Sequence, residues 1–141
     1  MIRQARAGDV PEVKRLLESA GLPTAGLDDH LANLHLLEAD GVILGAAAFE
    51  AYPPCALLRS LVVSETARGL GRGRELMQFV LSLVKRRGFS EAYALTTTIP
   101  DWLPRLGFEE IGRADLPAAL GASAGLQGAC PVTARVFRLK L

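Results

Sequence analysis

An apolar run, Leu57-Leu58-Arg59-Ser60-Leu61-Val62-Val63, leads within a few residues into Arg68-Gly69-Leu70-Gly71-Arg72-Gly73-Arg74, a turn of alternating arginine and glycine. Behind the turn, Leu76, Phe79, Val80, Leu83 and Val84 recur with the spacing of one apolar helix face. Lys85, Arg86 and Arg87 complete the last helical turn, and Gly88 lies just beyond it. A buried strand, a glycine turn and a helix in succession leave bare backbone N–H groups at the helix N-terminus, where an anion can sit. The segment is expected to grip the diphosphate of a nucleotide-like cofactor. The alternative is a glycine-rich turn that binds nothing.

Two known phosphate loops fail against these residues. A P-loop needs Lys and Ser/Thr after its last glycine, and here Gly73 is followed by Arg74 and Glu75. A dinucleotide fingerprint needs Gly-x-Gly-x-x-Gly, and Gly69-Leu70-Gly71 reaches Arg74 where the third glycine should be. The pattern that fits is Arg-x-x-Gly-x-Gly, from Arg68 to Gly73. It resembles the acyl-CoA pyrophosphate loop of the GNAT superfamily of N-acyltransferases.

The chain has 141 residues, half of them apolar, enough to bury a core as one domain spanning residues 1–141. A net charge of +1 gives no reason to expect nucleic acid or an anionic membrane surface. Cys55 and Cys130 form neither a CxxC nor a metal spacing, and His30 and His35 are too isolated for a metal site. The first residues look like a strand, no signal peptide is expected, and no apolar run reaches the roughly 18 residues a membrane helix needs. A cytoplasmic protein with reduced thiols follows as the expectation.

Periodicity and turn residues lay out the rest of the chain. Ile2–Ala5 is expected as a strand. Asp9-Val10-Pro11-Glu12 is expected to start a helix capped by Asp9 and stopped by Gly21. A short helix capped by Asp28 is expected over Leu27–Leu34. Leu36–Glu38 and Val42–Ala51 pair about a turn at Asp40-Gly41. Strands at Ala56–Val63, Glu91–Thr97, Gly107–Arg113 and Val132–Leu139, a short helical stretch over Pro100–Arg105, and an alanine- and glycine-rich lobe over 115–128 complete the order. The expected fold is α/β: a mixed, mostly antiparallel central sheet with helices on both faces. This order matches that of GNAT proteins over essentially the whole chain.

Two further segments narrow the resemblance. Leu95-Thr96-Thr97-Thr98-Ile99-Pro100-Asp101-Trp102-Leu103-Pro104-Arg105-Leu106-Gly107-Phe108 is similar to a stretch in the acetyltransferase domain of N-acetylglutamate synthases. Asp115-Leu116-Pro117, the run Leu57–Val63, Gly21-Leu22-Pro23-Thr24 and Cys130-Pro131 also resemble the small stand-alone GNATs of arsenic-resistance gene clusters. The resemblance implies acetyl-CoA as co-substrate, no metal, and N-acetylation of glutamate or an arsenic- or phosphorus-containing analogue of it. It implies a fourth and fifth strand that splay, so that the pantetheine arm pairs with backbone near Leu61, Val62 and Val63. A backbone N–H at Leu61 would polarise the thioester carbonyl. Arg68, Gly69, Leu70, Gly71, Arg72, Gly73 and Arg74 would surround the pyrophosphate.

Acceptor residues are read from chemistry. The amine must lose a proton before it attacks. Glu50, after the apolar Ala46-Ala47-Ala48-Phe49, is a base or proton relay if it faces the cleft, and a turn glutamate if it faces solvent. Arg59, a charge inside an apolar strand, needs a partner: a substrate carboxylate or an internal salt bridge. Strict alternation would put Arg59, Leu61 and Val63 on one face of their strand. Thr96, Thr97 and Thr98 offer hydroxyls to the substrate or are simple strand formers. Many GNAT proteins have a tyrosine, an acid for the thiolate, where this chain has Leu103; Tyr52 and Tyr93 are the possible substitutes. Three functions remain open: a small-molecule N-acetyltransferase, a non-catalytic acyl-CoA sensor, and a protein or peptide amine acetyltransferase. Oligomeric state is open too, a homodimer included.

Overall fold

The computed structural model describes residues 1–97, 102–123 and 134–141. Its regular elements are β1 (Ile2–Gln4), α1 (Val10–Ser19), β2 (Leu34–Ala39), β3 (Val42–Tyr52), β4 (Cys55–Val63), α2 (Arg72–Arg86), β5 (Glu91–Thr96), α3 (Trp102–Arg105), β6 (Glu109–Ile111) and β7 (Arg135–Lys140). The strands form one seven-stranded sheet in the order β1-β2-β3-β4-β5-β7-β6. Every neighbouring pair is antiparallel except β4 and β5. This is the mixed α/β fold with helices on both faces that the sequence led us to expect.

Two apolar clusters, one on each face, hold the helices. The face under α2 buries Ala47, Phe49, Ala56, Leu58, Leu76, Met77, Val80 and Val84. The face under α1 buries Ala46, Ala48, Val62, Val13 and Leu17. Phe49, Leu76, Val13 and Leu17 are each fully excluded from solvent, and a side chain of that size contributes about 1.5–3 kcal/mol when buried.

Alternation along β4 breaks at Ser60. Ala46 opposes Val62 while Ala48 opposes Arg59, so two steps along β3 match three along β4. Ser60 takes up the extra residue with a left-handed φ of 59°, as in a β-bulge. The expected shared face for Arg59, Leu61 and Val63 is therefore wrong. Leu61 and Val63 lie with Leu58 against the α2 cluster. Arg59 turns to the opposite face, where it meets Glu50.

Several local expectations shift for identifiable reasons. Asp9 does not cap α1: its carboxylate accepts from the Arg3 guanidinium and the Arg6 N–H, closing the preceding 3₁₀ turn. Leu27–Asn33 is 3₁₀ rather than α-helical and starts at Gly26 (φ 77°), while Asp28 pairs with Lys14 instead of capping. The strand around Gly107–Arg113 shrinks to β6, because Gly107 (φ 98°) closes the turn after α3 and Gly112 opens another. The described part of the lobe at 115–128 is a 3₁₀ turn, Ala118–Ala122; residues 124–128 lie outside the described residues. The last strand is described as β7, and residues 132 and 133 of the expected span are outside the described residues. Among the described residues, no helix is long and apolar enough to cross a membrane.

Gly45 marks the tightest contact between β3, β4 and α2. A Cβ there would lie 2.8 Å from the Val62 carbonyl oxygen and 3.0 Å from a Leu76 methyl. Gly45→Ala is expected to destabilise the fold by about 1–3 kcal/mol, read as a lowered urea midpoint with an unchanged slope. An unaltered midpoint would mean that the sheet gives way at no cost.

Candidate active site

Pairing between β4 and β5 runs from Cys55–Glu91 to Leu58–Ala94 and stops. Beyond that point the two strands have different partners. β3 holds β4 as far as Val63, and β7 holds β5 as far as Thr96. Arg59–Val63 on one side and Leu95–Thr96 on the other thus flank an opening in the sheet. The cavity there has a volume of about 390 Å³ and reaches from Met77 and Val80 of α2 to Gly21, Leu22 and Pro23 after α1. Its walls along the strands include Leu58, Leu61, Ala94 and Thr96.

The glycine–arginine turn lies at the far end of β4. Gly69 and Gly71 hold left-handed φ of 81° and 73°, which exclude most side-chain-bearing residues. The first bond into α2 runs from the Glu75 N–H to the Gly71 carbonyl at 3.1 Å. The N–H groups of Arg72, Gly73 and Arg74 are therefore left without an intrahelical acceptor. Around them a second hollow is walled by Val63, Arg68, Gly71, Arg72, Arg74 and Arg105. Arg68 donates through Nε to the Val63 carbonyl at 3.1 Å, tying the turn to β4. Arg72 pairs with Glu75 at 3.0 Å, and Leu70 is exposed. Arg105 of α3 adds a cation that motif spacing alone did not single out.

Glu50 dominates the other end. It is only 1% exposed, so it is not a solvent-facing turn residue, and it lines the cavity together with Arg59. Arg59 Nη1 donates to Glu50 Oε2 at 2.7 Å, and Tyr52 Oη donates to Glu50 Oε1 at 2.6 Å. The Ser123 hydroxyl is a further hydrogen-bond partner, and His30 Nε2 lies 3.6 Å from Oε2. Burial pushes the Glu50 carboxyl up, but the hydrogen bonds from Tyr52, Ser123 and Arg59 outweigh it, leaving it below the usual carboxylate range. The same burial and contact push the Tyr52 phenol up to about 12. Arg59 also donates through Nε to Ser60 Oγ at 2.9 Å. Among the described residues, no acceptor meets its Nη2.

The expected site residues thus fall at three places. Glu50, Arg59, Leu61, Thr96 and Thr97 line the cavity; Val62 is buried behind it; Val63 and the loop form the basin. Thr98 lies outside the described residues. Leu103 lines the cavity, only 3% exposed, so the usual tyrosine position reaches the cleft but brings no proton. Among the described residues walling the cleft there is neither Tyr52 nor Tyr93: the hydroxyl of Tyr52 is spent on Glu50, and that of Tyr93 on Glu91. Nothing in the sequence marks Ser123 as a pocket residue, and Gly21-Leu22-Pro23 reads only as a helix stop, a loop and part of a resemblance. Their contacts join segments too far apart for local periodicity to show.

The buried Glu50–Arg59 pair bears on stability. Arg59→Met is expected to cost about 3–5 kcal/mol by stranding a buried carboxylate, with part recovered in a Glu50→Leu/Arg59→Met double variant. Glu50 ionises more readily folded than unfolded, so its stabilisation is full above the ordinary carboxyl pKa and is lost as pH falls through the folded value. Tyr52→Phe removes one donor and should move that loss to higher pH. Urea midpoints measured down the acid limb test both; an acid limb identical in Tyr52→Phe and wild type would contradict the assignment.

Comparison with known proteins agrees with this geometry. Residues 9–108 match the model of the acetyltransferase (GNAT) family. An amino-acid acetyltransferase of Neisseria meningitidis is 30% identical over 125 residues, which cover 82% of this chain and 29% of that protein. The corresponding enzyme of Azotobacter vinelandii is 30% identical over 129 residues, 84% of this chain and 29% of its own. The chain thus spans less than a third of the curated relatives it matches. The structure of N-acetylglutamate synthase from Neisseria gonorrhoeae, complexed with coenzyme A and N-acetyl-glutamate, superposes with a TM-score of 0.84 at 27% identity, covering 100% of this chain and 35% of that one. An acetyltransferase from Streptococcus agalactiae shares the fold at a TM-score of 0.80 and 14% identity, covering 100% of this chain and 98% of that one. With most of its length matched by the family model, and with the loop and the divided strands in place, this chain belongs to the acetyltransferase (GNAT) family.

Proposed function

We propose that the protein transfers an acetyl group from acetyl-CoA to the amine of a small acidic amino acid, glutamate or a glutamate analogue. The observation that carries the reading is the end of β4–β5 pairing at Leu58–Ala94. It opens a buried, charged pocket beside β4, and the same strand leads at Val63 to the anion-ready loop. The loop suits a diphosphate: N–H groups of Arg72, Gly73 and Arg74, with Arg68 and Arg105 beside them. The unpaired run of β4 offers backbone groups to the amides of a pantetheine arm. Acetyl-CoA would supply an activated acetyl thioester.

The pocket residues then have separate tasks. The Glu50 carboxylate attracts the acceptor's ammonium and takes its proton directly or through water. Arg59 holds Glu50 in place and keeps its Nη2 for the acceptor's carboxylate. A backbone N–H near Leu61 polarises the thioester carbonyl. Since Leu103 brings no proton, the sulfur leaves as thiolate, a fair leaving group because thiols, with a pKa of about 8.5, are far stronger acids than alcohols. The amine attacks directly with both substrates bound, and Cys55, buried and raised in pKa by that burial, forms no acyl-enzyme. Arsenic- and phosphorus-containing glutamate analogues carry the same charges and belong in the same pocket. The place of action is the cytoplasm, where acetyl-CoA is made. A sensor without turnover is favoured only by Leu103.

Thiol release with a panel of amino acids tests the reading. Turnover is expected with glutamate and its analogues, and with intersecting initial-rate lines. Parallel lines with an acetylated cysteine would overturn the mechanism, and acetyl-CoA binding without any turnover would establish the sensor. Gly71→Glu puts a side chain and a negative charge into a left-handed turn, and should abolish acetyl-CoA binding by calorimetry while the fold survives.

A further inference from the structure

We propose that His30 is the proton exit of the acceptor pocket, working through Glu50; this rests on the transferase reading above. Acetyl transfer to an ammonium ion forms the amide C–N bond and breaks the thioester C–S bond. Of the three protons on the acceptor nitrogen, one stays on the amide and one is balanced by the thiolate, which takes up a proton after it leaves. The third must leave for solvent in every turnover. Glu50 is the carboxylate placed to receive it, yet Glu50 is 1% exposed and, once the pocket is filled, has no face of its own to water.

His30 supplies that face. Its Nε2 is 3.6 Å from Glu50 Oε2, and its side chain is 20% exposed. Among the described residues, the cavity wall includes Glu50 but not His30. The imidazole thus reaches Glu50 without being one of the residues that wall the cavity, and its own edge is partly open to solvent. Imidazole is the side chain best suited to carry a proton near neutral pH. Among the described residues, none of the charged or titratable groups around Glu50 offers a competing route. Tyr52, from β3, donates to the other Glu50 oxygen and holds its proton tightly. Arg59, from β4, is a permanent cation. On the histidine's own turn, Asp28 is engaged by Lys14 of α1, and Asp29 is exposed. A small side-chain rotation closes the 3.6 Å separation to hydrogen-bonding distance.

His30→Gln and His30→Asn test the assignment in the full chain. Acetyl-CoA affinity by calorimetry reports that each variant is folded, since the loop is remote from His30. Both are expected to lose at least about tenfold in kcat, with KM for the amino acid within about twofold, and added imidazole should restore turnover in proportion to its concentration. A loss confined to KM, a loss that imidazole does not rescue, or no loss at all would overturn the relay. A wild-type protein inactive on every amine tested would instead overturn the transferase reading, and the relay with it.

Discussion

The divergence of β4 from β5 governs the rest of the structure. Parallel strands this apolar would ordinarily pair along their whole length. Here pairing halts at Leu58–Ala94, just before the bulge at Ser60, while each strand keeps its outer neighbour beyond that point. The bulge at Ser60 contributes from the β3 side by turning the outer half of β4 through one residue of register. The insertion of β7 contributes from the other side by committing β5 to an antiparallel neighbour up to Thr96. The opening is therefore a product of the sheet's pairing rather than of loops.

At one end of that opening the fold buries charge, which costs several kcal/mol per ion unless it is compensated. Compensation is dense: Glu50 meets Arg59, Tyr52 and Ser123, with His30 beyond hydrogen-bonding distance. Such a cluster is rigid because each member fixes another. It is also poor at holding the fold together when any member is lost. A pocket of this kind is better explained by the need to recognise a charged ligand than by stability, since an apolar filling of the same volume would be at least as stable.

Much of this was legible in the sequence, and the reason is physical. The loop and helix from Arg68 to Arg86 are local structure: glycines at left-handed positions, an apolar stripe with helical period, basic residues at the C-terminus. Glu50 and Arg59 announced themselves as charges within apolar strands. What was not legible depends on contacts between distant segments. The bulge at Ser60 arises from register against β3, and no residue type at that position demands it. Asp9 looks like a helix cap, but Arg3, from β1, claims its carboxylate. Serine and histidine are too common to mark Ser123 and His30 as partners of Glu50 until the fold brings them there.

The insertion of β7 between β5 and β6 has a consequence for how the chain is made. The sequence places β6 at Glu109–Ile111 and its sole described strand partner at Arg135–Lys140. On the ribosome, β6 emerges with nothing to pair with, and β5 remains an edge strand, its backbone open along the side that later meets β7. Open edges invite pairing with other chains. The nascent protein therefore passes through a stage in which five of its seven described strands are in place and the β5 edge is adhesive until β7 covers it. Synthesis speed and chaperone cover over that interval, rather than the stability of the finished fold, would set how much of the chain reaches the native state.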